Sequence, residues 1–349
     1  MHGAAVARRL TTRASSSVLW PSTEAVCAGV ARGERQALAK AITLVESSRS
    51  DHQAQGHALL ASLQSSLPSS RFDAIRIGIT GPPGVGKSTF IEAFGMHAAE
   101  RGMRLAVLAV DPSSSRSGGS ILGDKTRMTE LARHPHAYVR PSPSRGTLGG
   151  VARATASATI LCQAAGCDAL LIETVGVGQS ETAVASMCDV FLLLAAPGGG
   201  DELQGIKKGV MELADIVVVN KADSKDDARQ RATRTAAEIS SALRLVRAPN
   251  AVWHPKTLLC SSVEKSGIDE VWNTVREFER VMKSRGLWAE RRLAQKREWF
   301  DTLVTEHLVR DFHASPAVQA ARARLLLDLE ANRVSPGQAA DELLAVFEA

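Results

Sequence analysis

The chain has 349 residues, of which 44% are hydrophobic, so it can bury a large core and is not globally disordered. Only 4% of the residues are aromatic and the formal net charge is +5, which argues against a stacking platform or a basic surface for nucleic acid. No apolar run approaches the length of a membrane span.

The amino-terminal segment differs in composition from the rest of the chain. Met1 to Thr23 contains Arg8, Arg9 and Arg13, several Ser and Thr residues and no acid. This composition is typical of a mitochondrial transit peptide and predicts the mitochondrial matrix. The alternative is an ordinary disordered tail on a cytoplasmic protein.

Residues 24–70 are predicted to form an amino-terminal helical extension. Gly33 to Gln64 contains two apolar faces with helical spacing, which predicts two helices. Ser50 and Asp51 are candidate caps of the second helix. The breaker Leu67-Pro68-Ser69-Ser70 marks a boundary with the next part of the chain.

Between residues 71 and 280, short apolar segments alternate with helical stretches. This alternation predicts an α/β fold with a doubly wound, mostly parallel sheet. Residues 281–349 are predicted to be a carboxy-terminal helical extension with a break near Val334–Gly337. The predicted strands are Ile75–Thr80, Leu105–Val110, Ala137–Arg140, Ala169–Glu173, Val190–Ala195, Ile216–Asn220 and Val252–Cys260.

A phosphate-binding loop follows the first predicted strand. Gly81 to Ser88 fits the pattern G-x-x-x-x-G-K-[ST], and a predicted helix follows it. Its glycines let backbone N–H groups turn around a phosphate, Lys87 can reach the β- and γ-phosphates, and the Ser88 hydroxyl can bind Mg²⁺. The alternative is a Gly-rich turn that matches by chance. The predicted nucleotide-binding residues here are Gly81, Gly84, Val85, Gly86, Lys87, Ser88 and Thr89.

Two acids are candidates for the magnesium shell. Asp111 follows the second predicted strand, at the sheet edge where ligands bind in such folds, and Asp124 lies in Gly123–Arg127. Because Mg²⁺ keeps several of its waters, both carboxylates could act through water. Either could instead be a surface turn residue.

The strand Ala169–Glu173 runs into Glu173-Thr174-Val175-Gly176. The Gly176 N–H can bond the γ-phosphate, so this loop could sense hydrolysis. Glu173 can orient the attacking water or act on Mg²⁺ through water. These two roles of Glu173, and that of a simple helix-cap acid, stay open.

The motif Asn220-Lys221-Ala222-Asp223 ends another predicted strand and fits N-K-x-D. The Asp223 carboxylate can accept from N1–H and the exocyclic amine of guanine, a donor pair that adenine lacks, so the motif predicts GTP and GDP as ligands. Asn220 can hold loops together, and the Lys221 stem can cover the base. A solvated turn is the alternative. Ser261 and Ser262 resemble the last guanine-contacting loop of GTPases.

The five cysteines contain no C-x-x-C pair and predict neither a disulfide framework nor a zinc site. Cys162 and Cys188 lie in apolar surroundings and are predicted to pack in the core. His134 and His136 are the only close pair among nine scattered histidines, which disfavours a metal-inserting GTPase.

Together these motifs resemble the GTPase chaperones that accompany methylmalonyl-CoA mutase, within the signal-recognition-type class of P-loop GTPases. Relatives also carry the label of LAO/AO transport system kinases for basic amino acids. The matching stretches are Gly81–Thr89, Asp111–Ser114, Gly118–Met128, Arg140–Gly150, Glu173–Glu181, Gly198–Gly209 and Asn220–Asp223.

The resemblance implies a GTPase that gates adenosylcobalamin delivery to the mutase and protects it. It implies nucleotide, metal and catalytic roles for Lys87, Ser88, Asp111, Asp124 and Glu173, with Glu173, Lys87 and Asp111 as the catalytic candidates. It also implies that Pro197 to Lys208 is an extra switch and that the carboxy-terminal helices are a homodimerisation arm. A D-x-H-x-x-G cobalamin signature is absent, so cobalamin would sit on the partner.

Two alternatives belong to other classes of protein. One is a GTPase metallochaperone for nickel or cobalt enzymes, and the other is a kinase of a basic amino-acid transport system. No arginine finger is identifiable, although Arg116, Arg127 and Arg145 are candidates, so the intrinsic hydrolysis is predicted to be slow.

Overall fold

The computed structural model describes residues 22–47, 49–111, 128–143, 148–174, 180–198, 208–224, 227–246 and 251–348. Within these ranges seven strands pair in one sheet, in the order β3-β2-β4-β1-β5-β6-β7, and every pairing is parallel. The predicted α/β fold with a parallel sheet is therefore confirmed. The strands are β1 (Ile75–Thr80), β2 (Leu105–Asp111), β3 (Ala137–Pro143), β4 (Ala169–Thr174), β5 (Val190–Ala195), β6 (Ile216–Val219) and β7 (Lys256–Leu259).

The strand bounds agree closely with those predicted from the apolar runs. The predicted strands Ala137–Arg140 and Val252–Cys260 differ most, because β3 continues to Pro143 and β7 begins only at Lys256. The Trp253 side chain, which lies within the predicted strand, instead packs edge-on against Phe278 and donates from Nε1 to the Asp215 carbonyl at 2.9 Å.

Helices cover both faces of the sheet. They are α1 (Thr23–Ala31), α2 (Arg35–Val45), α3 (Ser50–Ser66), α4 (Lys87–Ala99), α5 (Thr129–Arg133), α6 (Leu148–Ala164), α7 (Ser180–Ala185), α8 (Lys208–Leu213), α9 (Ala228–Val246), α10 (Ile268–Ser284), α11 (Leu287–Ala314), α12 (Pro316–Glu330) and α13 (Pro336–Glu348). One apolar core joins α4 and α10 to the sheet, and a second joins α1, α2, α3 and α6 to it. All five cysteines are free thiols, and Cys162 and Cys188 are buried, as predicted for core packing.

The amino-terminal extension has one helix more than predicted. Helix α1 begins at Thr23, with the Ser22 hydroxyl accepting from the Ala25 N–H at 3.3 Å. Gly29 lets α1 approach α2 closely, since a Cβ at this position would lie 2.6 Å from the Ala37 Cβ. The predicted cap at Ser50 was wrong, because Ser50 is already the first residue of α3.

The carboxy-terminal helices have more breaks than the one predicted near Val334–Gly337. Helix α10 ends before Gly286, which has a φ of +73°, and α11 ends at the Ser315–Pro316 junction. Proline at the first helical position is a known start signal that the sequence interpretation overlooked. None of the described helices is both long and apolar enough to cross a membrane.

A buried ionic network fixes α11 to the edge of the sheet where the strands begin. The Asp189 carboxylate, just before β5, accepts from Arg292 at 2.7 and 2.8 Å and from the N–H and Nε of Arg76 at 2.9 and 3.1 Å. Asp215, just before β6, accepts from both terminal nitrogens of Arg291 at 3.0 Å. Asp189 is 1% exposed, so its charge depends on these partners.

We expect Asp189→Asn to reduce the free energy of unfolding by about 3 kcal/mol, because it leaves two guanidinium groups without their buried counter-charge. Urea unfolding measures this change. The matched control is Glu342→Gln, which removes an exposed ion pair with Arg324 and should change stability by less than about 1 kcal/mol.

The difference in stability between the unsubstituted protein and Asp189→Asn has a defined pH dependence. Burial raises the pKa of the Asp189 carboxyl, but hydrogen bonds from Arg292 and Arg76 outweigh burial and hold the pKa below its usual value. The stability from the carboxylate is therefore complete above the unfolded-state pKa of about 4 and is lost as the pH falls through the lower folded-state pKa. A stability difference that shrinks already between pH 8 and 6 would contradict this account.

Candidate nucleotide-binding site

The predicted motifs meet at one edge of the sheet because all strands run in parallel. The phosphate-binding loop follows β1, Glu173 lies near the end of β4, and the N-K-x-D motif follows β6. Strand β4 lies beside β1 on one side, and β5 and β6 follow on the other. The topology thus places phosphate-binding and base-reading loops around one crevice, where ligands bind in such sheets.

The phosphate-binding loop has a backbone that depends on glycine. Gly84 and Gly86 have φ values of +79° and +92°, and α4 begins directly afterwards at Lys87. A Cβ on Gly86 would also lie 2.8 Å from the Asn220 Nδ2. Val85 is 1% exposed and anchors the loop in the core. Ser88 is half-buried and Thr89 is exposed at the start of the helix.

Lys87 folds back over its own loop. Its Nζ donates to the carbonyl oxygens of Gly81 at 2.7 Å and Pro82 at 3.2 Å. Burial lowers the pKa of the Lys87 ammonium, while the nearby carboxylates of Glu173 and Glu181 oppose this shift. The positive charge of Lys87 therefore lies between the phosphate-binding loop and the carboxylates of Glu173 and Glu181, where it could bind the phosphates of a nucleotide.

Two side chains of the N-K-x-D motif bind the phosphate loop directly. Asn220 Nδ2 donates to the Val85 carbonyl at 2.9 Å, and Lys221 Nζ donates to the Gly84 carbonyl at 2.7 Å. Asn220 is 1% exposed, and Lys221 has a φ of +60°, a conformation that non-glycine residues rarely adopt. The Lys221 stem thus bridges the two loops, and its predicted place over the base stays a prediction.

The other polar groups of the motif contact the loop after β7. Ser261 Oγ donates to Asp223 Oδ1 in a short hydrogen bond. The Asn220 Oδ1 accepts from Ser262 Oγ at 2.7 Å and from the Ser262 N–H at 3.2 Å. Ser261 and Ser262 therefore orient the two side chains that are predicted to read the base.

Glu173 lies among buried groups at the end of β4. It is 8% exposed, and its neighbour Thr174 donates from Oγ1 to the Thr80 Oγ1 at 2.8 Å, which ties the ends of β4 and β1 together. Carboxylate and hydroxyl oxygens are ligands that Mg²⁺ prefers, so Glu173 and Ser88 fit a magnesium ion or its waters. The choice between base and metal shell for Glu173 stays open.

Sequence interpretation missed Glu181, in the first turn of α7. This carboxylate is 6% exposed, no hydrogen-bond donor among the described residues reaches its Oε2, and its charge acts on Lys87. The signal that could have found it is an acid at the start of the helix that follows the Glu173 loop, at the ligand edge of the sheet.

Several predicted residues lie where the structure describes little or nothing. The backbone of Asp111 ends β2 at the same edge as the phosphate loop, but its side chain is outside the described groups. Asp124, Gly176 and the arginine-finger candidates Arg116, Arg127 and Arg145 fall outside the described residues, as do positions 199–207 of the predicted extra switch.

Comparison with known proteins gives one consistent family. A family model described as methylmalonyl-CoA mutase-associated GTPase MeaB matches residues 38–317. A probable GTPase of Mycobacterium tuberculosis is 51% identical over 325 residues, covering 93% of this chain and 95% of that protein. The mouse protein named methylmalonic aciduria type A homolog, mitochondrial, is 47% identical over 326 residues, covering 92% and 78%.

A solved structure has the same fold. The crystal structure described as LAO/AO transport system kinase superposes with a TM-score of 0.71 at 35% sequence identity, covering 94% of this chain and 98% of that one. This structure and the two relatives each cover more than nine-tenths of this chain.

We expect Gly86→Ala to weaken nucleotide binding by at least about tenfold, because alanine is strained at this φ and its methyl group would collide with Asn220. Titration with a fluorescent GDP measures the affinity.

The matched control for Gly86→Ala is Gly102→Ala. Gly102 also has a positive φ, +83°, but a Cβ there meets nothing within 4 Å. This variant should lose about 1 kcal/mol of stability from the backbone alone and bind GDP normally. Equal GDP affinities of the two variants would show that the close contact of Gly86 with Asn220 does not matter for nucleotide binding.

Proposed function

Because the chain belongs to the family of MeaB, the methylmalonyl-CoA mutase-associated GTPases, we propose that it is a GTP-hydrolysing chaperone of methylmalonyl-CoA mutase. The family and the P-loop fold make the chain a GTPase, which converts GTP and water to GDP and phosphate. The finer proposal is that it gates adenosylcobalamin loading of the mutase and protects the loaded enzyme. The observation that carries it is the family match over residues 38–317.

Different residues of the crevice bind the phosphates and the base of GTP. The backbone N–H groups of the loop Gly81–Gly86 and the start of α4 surround the phosphates, and Lys87 exchanges its bonds to Gly81 and Pro82 for phosphate oxygens. Asp223, held by Ser261, accepts from the guanine edge. Asn220 and Lys221 connect the two regions.

Hydrolysis needs an oriented water and neutralised phosphate charge. Glu173 orients the water or, through water, the ion, and Ser88, Asp111 and Asp124 complete the proposed metal shell. A bound Mg²⁺ would supply positive charge to the phosphate oxygens. No arginine finger is identifiable from the sequence, so the intrinsic rate should be low, and a partner that completes the site should raise it.

The proposed link to the mutase uses two further segments. The Gly176 N–H would bond the γ-phosphate, and the Gly-rich stretch from Pro197 to Lys208 would report the nucleotide state to the partner. The chain's own sequence has no cobalamin signature, so the cofactor would remain on the partner. The mouse relative is named for a mitochondrial methylmalonic aciduria protein, which supports both this partner and a mitochondrial matrix location; a cytoplasmic location is the alternative.

We further propose that α11 contributes to a homodimer interface. Trp288, Arg292 and Gln295 on one side of α11 contact the body of the protein. The opposite side, at 3.6 residues per turn, carries an apolar stripe that is 42–65% exposed. A second copy of the chain would cover this stripe. Its members are Leu293, Phe300, Val304 and Leu308.

The name of the solved relative keeps the transport kinase as a second candidate. A kinase would transfer the γ-phosphate to an acceptor, whereas a GTPase releases it to water. The family match favours the mutase partner over both this reading and a metal-inserting GTPase.

We expect the purified protein to hydrolyse GTP well below about one cycle per second, and methylmalonyl-CoA mutase to accelerate it, because the site is completed only in the complex. Release of labelled phosphate with and without mutase measures this, and Lys87→Ala is the inactive control. Absence of both stimulation and complex would remove the mutase proposal but leave the GTPase. Label recovered on a protein would instead support the kinase.

We expect Phe300→Asp to convert a dimer to a monomer, because it places a charge in the apolar stripe of α11, where this side chain is 65% exposed. Light scattering after gel filtration measures the mass. The control is Leu245→Asp on α9, an even more exposed leucine outside the stripe, which should leave the mass unchanged. A dimer that survives Phe300→Asp would place the interface elsewhere.

A further inference from the structure

The turn after β7 holds the base-reading motif from a second side. This turn, Ser261–Ser266, closes on itself through two backbone hydrogen bonds between its end residues, at 3.0 and 3.1 Å. Gly267 then turns the chain into α10 with a φ of +75°, and a Cβ there would lie 2.3 Å from the Leu259 carbonyl. The turn is therefore fixed against β7 and presents its side chains in defined positions.

Glu264, within this turn, contacts the residue that follows Asp223. The Ser224 N–H donates to both carboxylate oxygens of Glu264 at 3.0 and 3.1 Å, and the Ser224 Oγ donates to one of them at 2.7 Å. The Glu264 N–H in turn donates to the Ser261 Oγ at 3.1 Å. Since Ser261 donates to Asp223, these contacts form a closed ring of four residues.

We propose that Glu264 is a positioning residue for guanine selection: its carboxylate holds Ser224, its main-chain N–H binds the Ser261 hydroxyl, and together these contacts fix the direction of the Asp223 carboxylate. This inference rests on the proposed role of Asp223 in reading the base. A carboxylate discriminates between bases only when its oxygens stay where the N1–H and the 2-amine of guanine will be. Holding the residue after Asp223 and the hydroxyl that binds the Asp223 carboxylate achieves this.

Because Glu264 lies at the surface, its positioning role can be tested separately from its contribution to folding stability. Glu264 and Ser224 are exposed, so water replaces their hydrogen bonds when one partner is removed, and the fold loses little. The Asp223 carboxylate has no such substitute, because its direction depends on the ring. Loss of Glu264 should therefore change nucleotide preference more than folding stability.

The test compares GDP with IDP, which lacks the 2-amine of guanine. Glu264→Ala removes the carboxylate that holds Ser224 but keeps the main-chain N–H that binds Ser261. We expect it to lower the preference for GDP over IDP by about tenfold, mainly through weaker GDP binding. Glu264→Gln keeps one acceptor oxygen for Ser224 and should have a smaller effect. Calorimetric titration gives the affinities, and thermal unfolding should show a transition temperature near that of the unsubstituted protein.

Two further variants make the result interpretable. Glu270→Ala removes an exposed acid from the first turn of α10 and should leave the preference unchanged. Asp223→Ala should abolish the preference and sets the lower limit. An unchanged preference in Glu264→Ala, with the preference lost in Asp223→Ala, would overturn the role of Glu264 alone.

Other outcomes also decide the question. If Asp223→Ala keeps the preference, the proposed guanine site itself fails, and the role of Glu264 fails with it. If Glu264→Ala weakens GDP and IDP equally and lowers the unfolding temperature, Glu264 is only structural and the proposal is overturned.

Discussion

The nucleotide site depends on the direct hydrogen bonds between the base-reading motif and the phosphate-binding loop. Asn220 and Lys221 each donate to a carbonyl of that loop, on Val85 and Gly84. These bonds require that the loops approach closely, and glycine at position 86 leaves the space for the Asn220 amide. The proposed sites for the two halves of a guanine nucleotide thus belong to parts of the protein that already form one unit, which would reduce the ordering needed on binding.

The sheet separates ligand binding from the attachment of the carboxy-terminal helices. The loops of the site lie at the edge where the parallel strands end, whereas Asp189 and Asp215 lie at the edge where they begin. There they bind the arginines of α11 in a largely buried network. Strands β1, β5 and β6 connect the phosphate loop, the ionic network and the N-K-x-D motif.

Sequence patterns predicted much of this site because its motifs are local. The order strand, Gly-rich loop, helix gives the fold of Gly81–Ser88, and apolar runs gave most strand bounds to within a few residues. Local patterns were insufficient where packing between distant segments decides the structure. Helix α1 is short and is stabilised by packing of its small residues against α2, so the local pattern did not reveal it. The predicted last strand included Trp253, whose side chain packs against the core and lies outside β7.

The sequence by itself determined the parallel α/β fold and indicated the phosphate loop and the guanine motif, since each is encoded in a contiguous pattern whose chemistry is evident from its residue types. Only the tertiary structure decided that β4 lies between β1 and β2, that Glu181 joins the acids near Lys87, and that Glu264 closes a ring around Asp223. These relations join residues far apart in the chain. They depend on the order of the strands and the orientation of the turns, and both are determined by the packing of the whole domain.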